Sequence, residues 1–176
     1  MENKITIIGG GPGGYVAALR AAALGGKVTL IEKENLGGTC LNWGCIPSKI
    51  MKNTADLYLK FLKAGSLGIK TEGTISPDIK TLMARKDKIL EDQRKGIAAL
   101  MKKNKIIVEE GRAIIKSKGV VEVIAENKEK KEIEHDKLII ATGTKPLNVK
   151  DFPFDHQKIL SSNDMLQLDR IPESMI

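Results

Sequence analysis

Apolar positions along this chain fall into short runs, helical stripes and then short runs again. Lys4–Ile8 and Lys27–Ile31 are apolar runs of strand length. Between them, Gly13–Gly25 places Val16, Ala17 and Leu24 at helical spacing and closes on Gly25-Gly26, a helix stop. Strand, glycine turn, helix and strand predict a βαβ unit, which demands a parallel sheet with a right-handed crossover. Gly37–Gly44 reads as a loop. A helix is predicted from near Pro47 to about Leu62, since proline is favoured in a first turn. Gly65, Gly68 and Gly73 mark a break. A long helix follows from about Asp78 to Lys103, with Ile79, Leu82, Met83, Ile89, Leu90, Ile97, Leu100 and Met101 along one face. That stripe is read as helix packing rather than as a seat for a partner helix.

The period changes again at Ile106. Ile106–Val108, Ala113–Ile115 and Val120–Ile124 are strand-like and separated by Gly111 and by Ser117-Lys118-Gly119. They predict a small antiparallel meander over about 105–135. Leu138–Ala141, within 137–142, is a further strand and ends in Thr142-Gly143. Residues 145–176 read as a surface connection. The expected fold class is α/β: a Rossmann-like domain with a parallel sheet, a helical layer and a small β-meander. No internal repeat or low-complexity tract interrupts it.

Composition narrows the function classes. The 176 residues are 41% hydrophobic and 29% charged, the mix of an ordinary globular protein with a real core. The net charge of +7 raises nucleic-acid binding, but that wants a basic face interleaved with aromatics, and aromatics make up 3% of the chain. From Lys102 to Lys137 the lysines are mixed with glutamates, so a solvated lysine-rich surface is the preferred reading, with no nucleic-acid partner. No apolar run approaches a membrane span, and no membrane partner is expected. Met1–Lys4 leads straight into a strand-like run, so no signal or transit peptide is expected and the location reads as cytoplasmic. There an isolated cysteine pair is more often catalytic than structural.

Two motifs carry chemistry. The first is G-x-G-x-x-G at Gly9, Gly11 and Gly14, preceded by a strand and followed by a helix and a second strand ending in Glu32. In that context it is a dinucleotide signature rather than a bare glycine turn. Gly9 permits the tight turn, Gly11 lets a pyrophosphate approach the backbone, and Gly14 lets the helix pack on the sheet. The helix start supplies N–H groups and a positive dipole end. Glu32 can accept hydrogen bonds from a ribose. The unit alone does not separate FAD from NAD.

The second motif is Gly37-Gly38-Thr39-Cys40-Leu41-Asn42-Trp43-Gly44-Cys45-Ile46-Pro47-Ser48-Lys49, which holds both cysteines of the chain. Three readings compete. A metal site needs about four ligands, and His135 and His156 show no ligand spacing. Two inert buried thiols sit badly with the flanking glycines, which suit an exposed, shaped loop. A redox disulfide fits the start of a helix, where the dipole favours the thiolate that exchange chemistry requires.

This stretch resembles the active-site signature of the pyridine nucleotide-disulfide oxidoreductases, and within that family the dihydrolipoamide dehydrogenases most. The resemblance runs the length of the chain and includes Gly111-Arg112-Ala113, Ala141-Thr142-Gly143-Thr144-Lys145-Pro146, and Leu160-Ser161-Ser162 to Ile171-Pro172. It implies FAD as cofactor. Gly9, Gly11, Pro12, Gly13 and Gly14 would hold the FAD pyrophosphate, and Glu32 and Lys33 would lie at the adenosine ribose. Gly38, Thr39 and Lys49 would lie along the flavin side, with Lys49 near the ring. The backbone around Ala113 would meet the adenine, and Ala141, Thr142 and Gly143 would pass close to the cofactor. Cys40 would be the interchange thiol that meets substrate, and Cys45 the thiolate packed against the flavin.

The resemblance also implies a reaction: oxidation of dihydrolipoamide through a Cys40–Cys45 disulfide and FAD, with NAD⁺ as co-substrate. Implied partners are dihydrolipoamide or a lipoyl-bearing protein of a 2-oxoacid dehydrogenase or glycine cleavage complex, with a homodimeric parent enzyme. The chain then reads as the N-terminal part of the FAD-binding domain. The NAD-binding and dimerisation domains are expected to lie outside it, and the chain alone is expected to be inactive towards NAD⁺. Neither His135 nor His156 matches the family's base, and both are expected at the surface. Leu41, Ile46 and Ser48 lean towards the lipoamide branch. A sister reductase acting on glutathione or mercuric ion, and a non-catalytic flavin-binding module, stay open as alternatives.

Overall fold

Lys4–Ile8 forms β1 and Lys27–Glu32 forms β2, both rich in the β-branched residues that favour a pleated surface. In the computed structural model, which describes residues 3–70 and 72–176, they pair in parallel with Ile5 opposite Val28 and Ile7 opposite Leu30. The pair Met1-Glu2, on which the reading of a leaderless start rests, lies outside the described residues. Ile107–Glu110 (β3) and Lys137–Ile140 (β7) extend the sheet, giving the order β3-β2-β1-β7, parallel throughout. A second sheet is the antiparallel meander of β4 (Arg112–Ser117), β5 (Val120–Ile124) and β6 (Lys130–Glu134).

The meander therefore differs from the sequence expectation by one strand at each end. Ile107 and Val108 of the 106–108 run belong to β3 of the parallel sheet, where Thr29 registers with Ile107. The third meander strand is β6, Lys-Lys-Glu-Ile-Glu, whose one apolar residue gives no strand-like run. Charged edge strands of this kind are solvated on one side and resist pairing with other chains.

Side chains alternate across the parallel sheet, and the two faces build two cores. Ile7 and Leu30, fully buried, face one cluster with Ala18, Val28, Met101 and Ile106. Their neighbours Ile8 and Ile31 join Val121, Val123, Ala113, Ile133 and Leu138 in the other. Fully burying an Ile or Leu side chain contributes roughly 1.5–3 kcal/mol, so the alternating pattern fixes which face each strand presents. Helix α1 (Pro12–Ala23) covers the first face, and its alanines and glycines permit close approach. It stops in a Schellman motif: Gly25 and Gly26 donate back to the Ala22 and Ala21 carbonyls, with Gly25 at φ +84°.

By contact the chain divides into two units. The first, Met1–Asn42 with Asp92–Lys145, holds both sheets and α1. The second, Trp43–Glu91 with Pro146–Ile176, holds α3 (Cys45–Leu62), a 3₁₀ turn (Ala64–Leu67), the start of α4 (Ile79–Lys103) and α5 (Ser162–Met165). Asp78 caps α4, accepting from the Thr81 N–H at 3.0 Å. Of the predicted α4 stripe, Leu90 and Met101 are buried, while Leu100 is 44% exposed. The 145–176 connection contains α5, which is held by a capping box between Ser161 and Asp164. Among the described residues no helix is long and apolar enough to cross a membrane.

Candidate functional site

In the glycine motif, Gly9 and Gly14 leave a side chain no room. A Cβ at Gly9, which sits at φ +106°, would lie 2.2 Å from the Ala141 carbonyl oxygen. A Cβ at Gly14 would lie 1.7 Å from the Gly9 carbonyl oxygen, so Gly14 serves closure of the loop itself. The expected role of Gly14, packing helix on sheet, is secondary: Ala141 Cβ would be 3.6 Å away. The loop is tied to the sheet by Gly9 N–H to Ile31 O and Ala141 N–H to Ile8 O, both 2.8 Å. Helix α1 starts at Pro12 with Gly11 as N-cap, no capping side chain and no acidic residue in its first turn. Its positive end is thus left for an anion.

Glu32 ends β2 beside this loop. Its carboxylate accepts the Gly10 N–H at 2.6 Å and the Glu34 N–H at 2.9 Å. A carboxylate has about four lone-pair sites, so acceptor capacity remains for a ribose hydroxyl. The backbone role, which the sequence did not reveal, is to set the position of Gly10. Lys33 is exposed and pairs with Glu34 at 3.0 Å. Ala113 packs beside Ile31 in the second core, two residues beyond Gly111, whose N–H donates to Glu32 O. Thr142 and Gly143 follow β7 at the surface. The Thr142 Cα would lie 3.2 Å from a Cβ at Gly9.

The expected loop over Gly37–Gly44 is instead largely helical. Gly38–Trp43 forms α2, which carries Cys40 half-buried on its first turn. Gly44, at φ −150° and ψ −111°, breaks the helix, and α3 begins at the exposed Cys45. Composition hid α2 because two glycines open it and its hold comes from a side chain. Asn42, 8% exposed, donates through Nδ2 to the carbonyls of Leu36 (3.1 Å), Gly38 (3.0 Å) and Asn35 (3.4 Å). Arg94 reaches the Asn35 side chain at 3.1 Å.

Helix α2 also begins against the glycine loop. Gly37 N–H donates to Gly10 O at 2.9 Å, and a Cβ at Gly38, at φ +56°, would lie 2.6 Å from Gly11 Cα. Gly9, Gly11, Pro12, Gly14, Gly38 and Ala141 are thereby gathered at one place, with Gly13 3.9 Å from Ala141 Cβ by the same construction. Thr39 follows on α2 and is exposed; Lys49 is exposed on α3, within the second unit. An open cavity of about 480 Å³ lies along α4, lined by Ile79, Met83, Lys86 and Leu168 among others. It contains no residue of either motif. Its buried Lys86 interrupts the apolar stripe and donates to Leu166 O at 2.6 Å. The histidines divide: His156 is exposed, whereas His135 is half-buried with its Nδ1 enclosed, a departure from the surface expectation.

Residues 3–176 match the family model described as Pyridine nucleotide-disulphide oxidoreductase. Dihydrolipoyl dehydrogenase of Bacillus subtilis (strain 168) is 43% identical over 174 residues, covering 98% of this chain and 38% of its own length. The mitochondrial dihydrolipoyl dehydrogenase of Dictyostelium discoideum is 40% identical, covering 99% of this chain and 36% of its own length. Among solved structures, LpdA from Mycobacterium tuberculosis matches with a TM-score of 0.82 at 26% identity, over 97% of this chain and 38% of that one. This chain thus spans under two-fifths of the length of these relatives. With the glycine loop, the cysteine helix and a match over nearly every residue in agreement, the chain belongs to the pyridine nucleotide-disulphide oxidoreductase family.

Proposed function

We propose that this chain provides the FAD-binding and dithiol portion of a dihydrolipoamide-oxidising enzyme that uses NAD⁺. The observation that carries the reading is the seating of α2 on the glycine loop, with Gly38 against Gly11. A dinucleotide whose pyrophosphate rests on that loop runs directly past the helix that bears Cys40. The residues fit the cofactor: Gly11 and Gly13 present bare backbone, with nothing nearer than 3.5 Å and 3.9 Å to a Cβ built there, and the α1 start offers uncapped N–H groups to phosphate.

Gly9, Gly11, Pro12, Gly13 and Gly14 would hold the pyrophosphate, Glu32 and Lys33 the adenosine ribose, and the backbone at Ala113 the adenine. Gly38, Thr39, Lys49, Ala141, Thr142 and Gly143 would line the remainder. In the dithiol chemistry, one substrate thiolate attacks the Cys40 sulfur of a Cys40–Cys45 disulfide, and Cys45 leaves as thiolate. The second substrate thiol then attacks the substrate sulfur of the mixed disulfide and releases Cys40. The substrate departs as a cyclic disulfide, and the chain retains two electrons as a dithiol. FAD, when bound, supplies the acceptor that passes this electron pair on to a nicotinamide. Dihydrolipoamide or a lipoyl-bearing protein of a 2-oxoacid dehydrogenase or glycine cleavage complex is the proposed partner, and a homodimer is the proposed form of the whole enzyme.

The test is a thiol titration of the full chain with and without reductant, alongside its absorption spectrum after incubation with FAD. Two thiols that appear on reduction are expected, FAD is expected to bind weakly, and such flavin as binds should bleach on adding dihydrolipoamide. Two thiols already titrating under mild oxidation, with no gain on reduction, would refute the dithiol reading.

A further inference from the structure

We infer that Asn42 is a positioning residue for the Cys40–Cys45 chemistry, an inference that rests on the dithiol reading proposed above. Ring closure of a disulfide tolerates only a narrow range of Cα separations and Cβ directions, so the backbone around Cys40 has to be held. Helix α2 has six residues, Gly38–Trp43, too few to persist by its own hydrogen bonds. It is entered through Gly37 and opens on Gly38, the residue type that loses most conformational freedom on ordering.

Asn42 supplies the missing hold. It is 8% exposed, and its Nδ2 donates to two carbonyls before the helix, Asn35 and Leu36, and to one within it, Gly38. Those bonds fasten the helix carrying Cys40 to the turn that enters it. Three carbonyls around one nitrogen also fix the orientation of the amide. The consequence is that Oδ1 is buried without a partner among the described residues. An unmet buried acceptor is costly, and an apolar side chain of the same size would avoid it. Packing alone gives no reason for an asparagine here; fastening does. Its place between the two cysteines makes their ring closure the property it controls.

The experiment equilibrates the full chain with glutathione buffers. Cys40 and Cys45 lose two protons and two electrons to one oxidised glutathione, giving the intrachain disulfide and two reduced glutathiones. The ratio at half-closure gives the effective concentration of the pair. For N42A and N42D, checked as folded by circular dichroism, that value is expected at least about tenfold below the parent chain, because preorganisation of the reacting atoms is lost. N42D fills the same volume but turns an acceptor towards three carbonyls, so it should do no better than N42A. Folded N42A or N42D closing as readily as the parent, whatever its melting temperature, would overturn the inference.

A measurement on the unmutated chain decides the matter even where the variants do not fold. By linkage, if Asn42 favours closure, closure strengthens the bonds of Asn42. Hydrogen exchange of the Asn42 side-chain amide should be slower in the disulfide form than in the dithiol form, and equal rates would overturn the proposal. If the parent chain forms no intrachain disulfide at all, the dithiol reading itself fails, which separates the two outcomes.

Discussion

Single residues at this site act through the backbone more than through their own chemistry. Glu32 was legible as the acidic end of a second strand, yet its carboxylate also takes the Gly10 N–H at 2.6 Å and thereby shapes the loop ahead of the helix. Gly14 is the sharper case. Its missing Cβ is 1.7 Å from a backbone oxygen that no side-chain movement can clear. Gly14→Ala is therefore expected to cost at least about 1–3 kcal/mol of stability, and to abolish FAD retention together with it. Chemical denaturation and flavin fluorescence would check both. Gly96 makes the contrast within the same chain. It lies inside α4, and a Cβ there meets nothing within 4 Å. Gly96→Ala should stabilise by about 0.5–1 kcal/mol, read as a rise in the denaturation midpoint, because only backbone entropy changes.

At the scale of elements, periodic segments were readable and short capped ones were not. The strands Lys4–Ile8 and Lys27–Glu32 and the helix Ile79–Lys103 announce themselves by apolar spacing, and the helix Cys45–Leu62 by the proline of its first turn. Helix α2 and α5 have too few residues to show a period, and both are held by side-chain hydrogen bonds. In α5 the Asp164 carboxyl is held down to about 2 by the Ser161 hydroxyl, then by the Ser161 N–H and by His156. Its ordinary value is 3.8, so the folded form binds its proton less tightly than the unfolded chain does. The stabilising contribution is then fully present above that ordinary value and disappears as pH falls through about 2. A carboxyl-carbon NMR titration should find the low midpoint at Asp164. In Ser161→Ala the midpoint should move up towards the ordinary value, and an unchanged midpoint would exclude the hydroxyl as the leading cause.

For the whole molecule, the proposed cofactor should act on stability by mass action, since a ligand that binds only the folded chain raises its stability by about 2.7 kcal/mol at a hundredfold excess over Kd. FAD should raise the melting temperature, and riboflavin, which has no pyrophosphate for the glycine loop, should raise it less at equal concentration. An equal shift from both would deny the loop its role. By itself the sequence determined the α/β class, the parallel βαβ start, the glycine loop and the cysteine pair, because each of these rests on local spacing: alternation, helical period, glycines at set intervals. Tertiary structure decided the rest. It moved Ile107–Glu110 from the meander into the parallel sheet, since pairing with β2 is a contact across 78 residues from Thr29 to Ile107 that no local pattern encodes. It recruited the charged Lys130–Glu134 as a sheet edge, where one partly buried isoleucine suffices. It also turned the glycine-flanked stretch around Cys40 into a helix and seated it on the glycine loop. That placement depends on carbonyls reached by Asn42 and on two glycines that approach within van der Waals distance, and such contacts exist only once the chain has folded.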